Sequence, residues 1–265
     1  IGGIGMSGIA ELLINLGFNV TGSDLNDSEI IQNLKSKGAE IVEGHHASNV
    51  NDCEVMVYSS AVPSDNPELM AAKDRGIPII KRAEMLGELI ALKQTSIGVG
   101  GTHGKTSTSS MIGAMLSHTG LDPTLVVGGL VKNIDTNSQL GDSDLIVVEA
   151  DEYDKSFLQL KPTISVITNI EQEHMDCYDD ADDLHNSFAQ FANSVPFYGA
   201  VIACLDSSGV QDIIPNIKRP VVTYGFSPQA DIGAKNIKTN ETQTTYTLYH
   251  NNKNCGKVTL HVPGK

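Results

Sequence analysis

Tryptophan is missing from this 265-residue sequence, aromatic residues make up only 5% of it, and its four cysteines (Cys53, Cys177, Cys204, Cys255) are widely spaced. With no C-x-x-C pair there is no zinc-finger or thioredoxin spacing, and a chain of this length needs no disulfide staple, so reduced thiols and a cytoplasmic location are expected. No apolar run approaches the roughly 18 residues of a spanning helix, and there is no basic-apolar-small leader, so neither a membrane span nor secretion is expected. Positive charge is also scarce. Eighteen Lys and Arg stand against 32 Asp and Glu, a formal charge of −14. That balance excludes a partner needing a broad basic face, nucleic acid above all, while leaving room for a single Lys or Arg to meet a phosphate. The sequence opens at Ile1 and stops at Pro263-Gly264-Lys265, and both ends read as cuts in a longer chain.

What is present in quantity is glycine, 25 residues, with the informative ones near the start and around residue 100. Between them, short apolar strands alternate with helices. Ile9–Leu16 is an apolar helix closed by Gly17, Phe18–Asp24 a strand, Ser28–Lys37 a helix closed by Gly38, and Ala39–Val42 a strand. Glu54–Ser59, Asn66–Arg75, Ile77–Ile80 and Arg82–Leu92 continue as strand, helix, strand, helix. The cycle restarts with strand Thr95–Val99, a glycine loop and helix Thr106–His118, then strands Asp144–Glu149, Thr163–Thr168, Ala200–Asp206 and Pro220–Gly225. Such alternation predicts parallel α/β sheets, with a second domain starting near residue 94. From Thr244 the pattern becomes an antiparallel hairpin, Tyr246–His250 and Lys257–Val262 about an Asn-Asn-Lys-Asn turn, a small β annex.

Four motifs carry chemistry. Gly3-Ile-Gly5-Met-Ser-Gly8 is a G-x-G-x-x-G leading into a helix, where a diphosphate can approach backbone N–H groups at the helix N-terminus. Asp24 ends the next strand, where a carboxylate reaches a ribose hydroxyl. The strand that should precede this loop is not in the sequence, and a glycine-rich packing turn is the competing reading. The second motif, Gly98-Val-Gly-Gly101-Thr102-His103-Gly104-Lys105-Thr106-Ser107, lies between a strand and a helix. Its amides, the Lys105 ammonium and the Thr106 hydroxyl suit a triphosphate with Mg²⁺. The spacing is shorter than the strict P-loop, whose first glycine would fall on Val99. Third, Glu149-Ala-Asp151-Glu152 closes an apolar strand, and Glu149 is favoured as a carboxylate completing the Mg²⁺ shell. Fourth, His174, within Asn169-Ile-Glu-Gln-Glu173-His174-Met-Asp176, stands beside carboxylates as a candidate second metal ligand. His45 and His46 read as a loop pair; His118, His185, His250 and His261 read as structural. The Asp179, Asp180, Asp182, Asp183 run reads as a helix start rather than a calcium loop.

Taken in order, GGIGMSGIAELL, SSAVPSDNPEL, RAEMLGEL, GGTHGKTST, VVEADEYDKSF, TNIEQEHMD and VPFYG resemble the Mur ligase family over nearly the whole sequence. The shortened glycine loop is the form that family uses. The resemblance implies a Rossmann-like N-terminal domain for a UDP-sugar over residues 1–93, its first strand missing, followed by a P-loop-type central α/β domain for ATP over residues 94–265. The family's third, C-terminal domain would be absent. It also implies an ATP-dependent amide ligase, with Mg²⁺, that activates the lactyl carboxylate of UDP-N-acetylmuramate as an acyl phosphate and joins it to L-alanine in peptidoglycan precursor synthesis. On this resemblance Gly3, Gly5, Gly8 and Asp24 serve the UDP-sugar, and Gly101, Thr102, His103, Gly104, Lys105, Thr106 and Ser107 serve ATP. Lys105, Glu149 and His174 are then the catalytic set, and Thr106, Glu149 and His174 the metal set. No Lys occurs between Lys161 and Lys218, so the carbamylated lysine of several sister ligases has no counterpart, which fits the alanine-adding branch. The alternatives are a ligase that re-attaches a recycled tripeptide, a nucleotide-binding piece inactive by itself, and an NAD-dependent dehydrogenase, the last opposed by Gly104-Lys105-Thr106.

Overall fold

The computed structural model describes residues 1–131 and 136–262; the terminal Pro263-Gly264-Lys265 lies outside the described residues. The chain forms two compact units that are interleaved in sequence. One comprises Ile1–Ile97 and Thr106–Glu149, the other Gly98–Lys105 and Ala150–Lys265.

In the first unit, helix α1 (Ile4–Asn15) starts inside the glycine motif, with Gly3 as its extended N-cap. It ends where Gly17, at φ +88°, takes the left-handed conformation that a side chain would resist. Strand β1 (Thr21–Asp24) pairs in parallel with β2 (Glu40–Glu43). Between them runs α2 (Glu29–Ser36), whose N-cap Ser28 accepts from the Ile31 N–H. Leu34 of α2, Ala10 of α1 and Ala39 form a small buried cluster beneath this pair. Strand β3 (Met56–Tyr58) pairs in parallel with β4 (Ile79–Lys81), joined through α3 (Pro67–Asp74), which is capped by the Asn66 carboxamide. The expected parallel pairing is therefore present as two two-stranded sheets.

Helix α4 (Arg82–Ala91) buries Ala83, Leu86, Leu89 and Ile90 at helical spacing and leads into β5 (Thr95–Gly100). The start of β5 lies beside the run into β8 (Leu145–Ala150), the Thr95 N–H donating to the Asp144 carbonyl. After α5 (Lys105–His118), β6 (Thr124–Val131) pairs in parallel with β8 and antiparallel with β7 (Thr136–Gln139). The sequence reading had no strand in this stretch. Thr124 and Gly141, hydrogen-bonded to each other, tie β6 to the segment after β7. Helix α1 packs on both β6 and β7, so residues from well beyond position 97 complete the surroundings of the first glycine motif.

In the second unit, β9 (Ile164–Ile167), β10 (Ala200–Cys204) and β11 (Val221–Gly225) are parallel neighbours. Helix α6 (Ala181–Asn193) covers this sheet with Leu184, Phe188 and Phe191, and α7 (Ser208–Ile213) adds Val210 and Ile213. Phe157, Phe188 and Phe191 stack together at centroid distances of 5.0 and 5.2 Å and are fully buried. Burying three such rings contributes on the order of 6–9 kcal/mol of transfer free energy before chain entropy is counted. The antiparallel annex has three strands rather than two: β12 (Ile232–Thr239), β13 (Thr244–His250) and β14 (Lys253–Leu260), with β12 joined in parallel to β11. Its last turn is tighter than the expected four residues. Asn251 and Asn252, at φ +48° and +62°, make a two-residue connection, a conformation asparagine tolerates better than most residues.

Candidate active site

The second glycine motif runs from the C-terminal end of β5 to the first turn of α5, which contains no acidic residue to oppose an anion. Gly101 sits at φ +138°, and a Cβ there would lie 2.0 Å from the Thr168 hydroxyl. Only glycine fits so close to the end of β9. Gly104, at φ +80°, has open space around it, so it is needed for backbone conformation alone.

The loop is stitched to the segment after β9. The Thr102 N–H donates to the Asn169 carbonyl and the His103 N–H to Asn169 Oδ1 at 2.8 Å. Both Asn169 Nδ2 and Thr168 Oγ1 donate to the His103 carbonyl, at 3.0 and 2.7 Å. The buried Thr102 hydroxyl receives the Glu171 N–H at 2.9 Å. The exposed His103 ring has Nε2 3.1 Å from Glu173 and 3.7 Å from Glu171. The TNIEQEH run thus acts as a brace for the glycine loop, a role beyond that of His174, the one residue of the run singled out from sequence.

Lys105 points back into its own loop. Its Nζ donates to the Gly101 carbonyl at 2.8 Å, to the Thr102 carbonyl at 3.3 Å and to Glu152 Oε2 at 2.6 Å. Glu152 is 1% exposed, and its other oxygen, Oε1, makes no hydrogen bond among the described residues. The His174 Nε2 faces that oxygen at 4.0 Å. His174 is held at φ +54°, with its carbonyl accepting from the Cys177 N–H and its ring edge-on to Tyr153 at 5.5 Å. Asp154 and Lys155, at φ +53° and +54°, put a second left-handed bend next to Glu152. Non-glycine residues in this region cost of order 1 kcal/mol or more each and gather where function requires a fixed geometry.

Tyr178, whose hydroxyl donates to the Glu152 carbonyl at 2.6 Å, closes the inner side of the bend. Burial, then the charge of Glu152, pushes its phenol well above the usual range, so it stays a neutral donor. Lys155 Nζ bonds Asp183 at 2.7 Å and lies 5.3 Å over the Tyr178 ring. That bond, with the Asp179 N–H, holds the Asp183 carboxyl below its ordinary range.

Lys105, His103, Glu152 and His174 are gathered in one compact unit, whereas Thr106 and Glu149 belong to the other. Thr106 is the second residue of α5, half-buried, and Glu149 stands half-buried near the end of β8. Ser107 is exposed on the first turn of α5. The available donors are a hydroxyl, carboxylates and one imidazole, and among the described residues no three His, Cys, Asp or Glu converge to cage an ion by themselves. Such a set suits Mg²⁺, which takes one or two carboxylates and fills its octahedron with water and phosphate oxygens.

At the first glycine motif, Gly5 lies inside α1 and the Arg82 guanidinium packs where its Cβ would be, Nη1 at 3.1 Å. Gly8 is buried in the same helix. Asp24 accepts from the Gly2 N–H at 2.8 Å and the Asn26 N–H at 3.2 Å. Asp24 therefore anchors the start of the glycine motif. The neighbouring His45, read from sequence as one of a loop pair, has Nδ1 2.8 Å from the Ser23 hydroxyl and 3.4 Å from the buried Glu68.

Residues 1–94 match the Mur ligase family, catalytic domain, and residues 99–265 the Mur ligase middle domain. The chain belongs to the Mur ligase family. Among curated Mur ligases it is 51% identical to UDP-N-acetylmuramate–L-alanine ligase of Desulfatibacillum aliphaticivorans, covering all of this chain and 58% of that protein. It is 50% identical to the ligase of the same name from Syntrophus aciditrophicus, covering 55% of it. The chain thus spans somewhat over half the length of these relatives. Solved Mur ligases superpose over its full length. A UDP-N-acetylmuramate-alanine ligase from Thermotoga maritima gives a TM-score of 0.86 at 26% identity, with 60% of that chain covered. A UDP-N-acetylmuramate:L-alanyl-γ-D-glutamyl-meso-diaminopimelate ligase from Neisseria meningitides gives 0.88 at 26%, with 86% covered. Mur ligases in general use ATP and Mg²⁺. Among the described residues no helix is long and apolar enough to cross a membrane.

Proposed function

We propose that this chain is the UDP-sugar- and ATP-binding part of a ligase that joins L-alanine to the lactyl carboxylate of UDP-N-acetylmuramate in the cytoplasm. Residues 1–93 would hold the UDP-sugar through Gly3, Gly5, Gly8 and Asp24, and residues 94–265 would hold ATP. A third domain, which the relatives' greater length allows for, would complete the amino-acid site. The observation that carries this reading is the Gly101–Ser107 loop, braced by Asn169 and presenting Lys105 at a helix N-terminus.

In the reaction the carboxylate attacks the γ-phosphorus of ATP, releasing ADP and leaving an acyl phosphate. The alanine amine then adds to the acyl carbon, and phosphate departs with the C–O electron pair. A bound Mg²⁺ would supply charge neutralisation for the transferring phosphoryl group. The chain's own work would be positioning: with the Thr102 and His103 N–H groups given to Asn169, the amides at the start of α5 would meet phosphate oxygens, Lys105 would take up negative charge developing on the transferred group, and Thr106, Glu149 and His174 would offer the cation its oxygen and nitrogen ligands. By itself the chain is expected to be inactive.

The fold likeness to the tripeptide-adding ligase is as close as that to the alanine ligase, so substrate choice decides. In the full-length protein, phosphate release from ATP should require both UDP-N-acetylmuramate and L-alanine. An equal rate with L-alanyl-γ-D-glutamyl-meso-diaminopimelate replacing alanine would overturn the assignment.

A further inference from the structure

Glu152 is absent from the site set drawn from the sequence, yet it is the most buried charged side chain around the loop. Its two oxygens do different things. Oε2 accepts the Lys105 ammonium at 2.6 Å; Oε1, shielded from water and without a hydrogen bond among the described residues, faces His174 Nε2 at 4.0 Å. The carboxylate cannot drift. Its backbone carbonyl accepts both the Tyr178 hydroxyl and the Lys155 N–H, and the left-handed residues 154 and 155 turn the chain immediately after it. The two groups it addresses sit on separate segments, Lys105 at the start of α5 and His174 on the brace after β9. A buried carboxylate left half-satisfied is costly, so it persists where the surrounding structure fixes it for a purpose.

We propose that Glu152 is the positioning residue of the nucleotide loop, fixing the Lys105 ammonium with one oxygen and setting the His174 segment against it with the other before any phosphate arrives. The inference rests on the nucleotide-binding reading of the Gly101–Ser107 loop. A lysine on four rotatable bonds is a poor template for a transferring phosphoryl group. Clamped between two carbonyls and a carboxylate, it has most of that freedom removed in advance, which is where pre-organisation gains rate.

The test combines three variants of the full-length enzyme: Glu152→Gln, Lys105→Met and the double variant. Glu152→Gln keeps the shape and removes the charge. Its kcat should fall at least tenfold, about what one charge-assisted hydrogen bond is worth, while KM for the UDP-sugar stays unchanged. In thermal unfolding, Lys105→Met leaves Glu152 buried and unpaired and should lower Tm by roughly 5–10 °C, and the double variant should recover most of that loss. This coupling keeps the test decisive even if Glu152→Gln is poorly folded alone. Additive Tm losses, or wild-type kcat in folded Glu152→Gln, would overturn the proposal. Binding of the non-hydrolysable analogue AMP-PNP to Lys105→Met separates the two readings. Lost binding together with additive Tm losses means only the role of Glu152 fails; wild-type binding means Lys105 is not in a nucleotide site, and both readings fail.

Discussion

A single methyl group decides whether the Gly101–Ser107 loop can lie where it does. At Gly101 the Cβ of an alanine would meet the Thr168 hydroxyl at 2.0 Å and the Asn169 backbone at 3.1 Å, at a φ of +138° that L residues avoid. Gly101→Ala is therefore expected to destabilise the protein by about 2–4 kcal/mol in urea unfolding and to weaken nucleotide binding, because Thr168 and Asn169 also hold His103. Unchanged stability would mean that the β9 end moves aside freely. The placement of Gly104 and Lys105 between a strand and a helix was legible in the sequence, because an apolar run precedes the glycines and a helical stretch follows them. Glu152 was not. Its importance arises from the left-handed bend at Asp154 and Lys155 and from the inward turn of Lys105, neither of which leaves a mark in residue type or spacing. Asp24 lay between these cases: its position at the end of β1 was readable, but its bond to the Gly2 N–H was not.

Elements were most legible where apolar residues alternate with clear stops. Gly17, Gly38 and Gly76 each end a helix at positive φ, and Ser28, Asn66 and Asp180 cap the helices that follow them. Legibility failed at β7 and β12, whose polar-rich stretches lack alternation and gain strand character from their neighbours; β6 differs, since its Thr-Leu-Val-Val opening is itself apolar and β-branched. At the β11–β12 connection, one side chain does the joining. Asp231 accepts from the Thr223 N–H and the Thr223 hydroxyl, both at 2.8 Å. Those bonds, the backbone one first, hold its carboxyl below the ordinary 3.8. A depressed folded-state pKa means that the stabilisation is complete above the ordinary value and drains away as pH falls through the folded one. Asp231→Asn should therefore lower stability at neutral pH and flatten the loss of stability between about pH 4 and pH 2, as read from urea midpoints; parallel wild-type and variant curves would count against it.

For the molecule as a whole, the boundaries of family likeness and of compactness differ. The two family matches meet between residues 94 and 99, whereas the first compact unit also takes in Thr106–Glu149. Because α1 packs on β6 and β7, a piece ending at residue 97 would leave Leu12, 3% exposed in the intact chain, with part of its cover removed. Residues 1–97 expressed alone are expected to show little amide-exchange protection in α1, while the same helix in the full chain is protected; equal protection would show that α1 is held from within its own segment. The absence of tryptophan from these 265 residues gives one local contact an optical meaning. An indole placed at Tyr153, whose ring stands edge-on to His174, would be the sole long-wavelength emitter among them. Indole emission follows the groups packed against the ring, so it would report any movement of the His174 side chain away from that edge-on contact, in a cuvette and without any turnover.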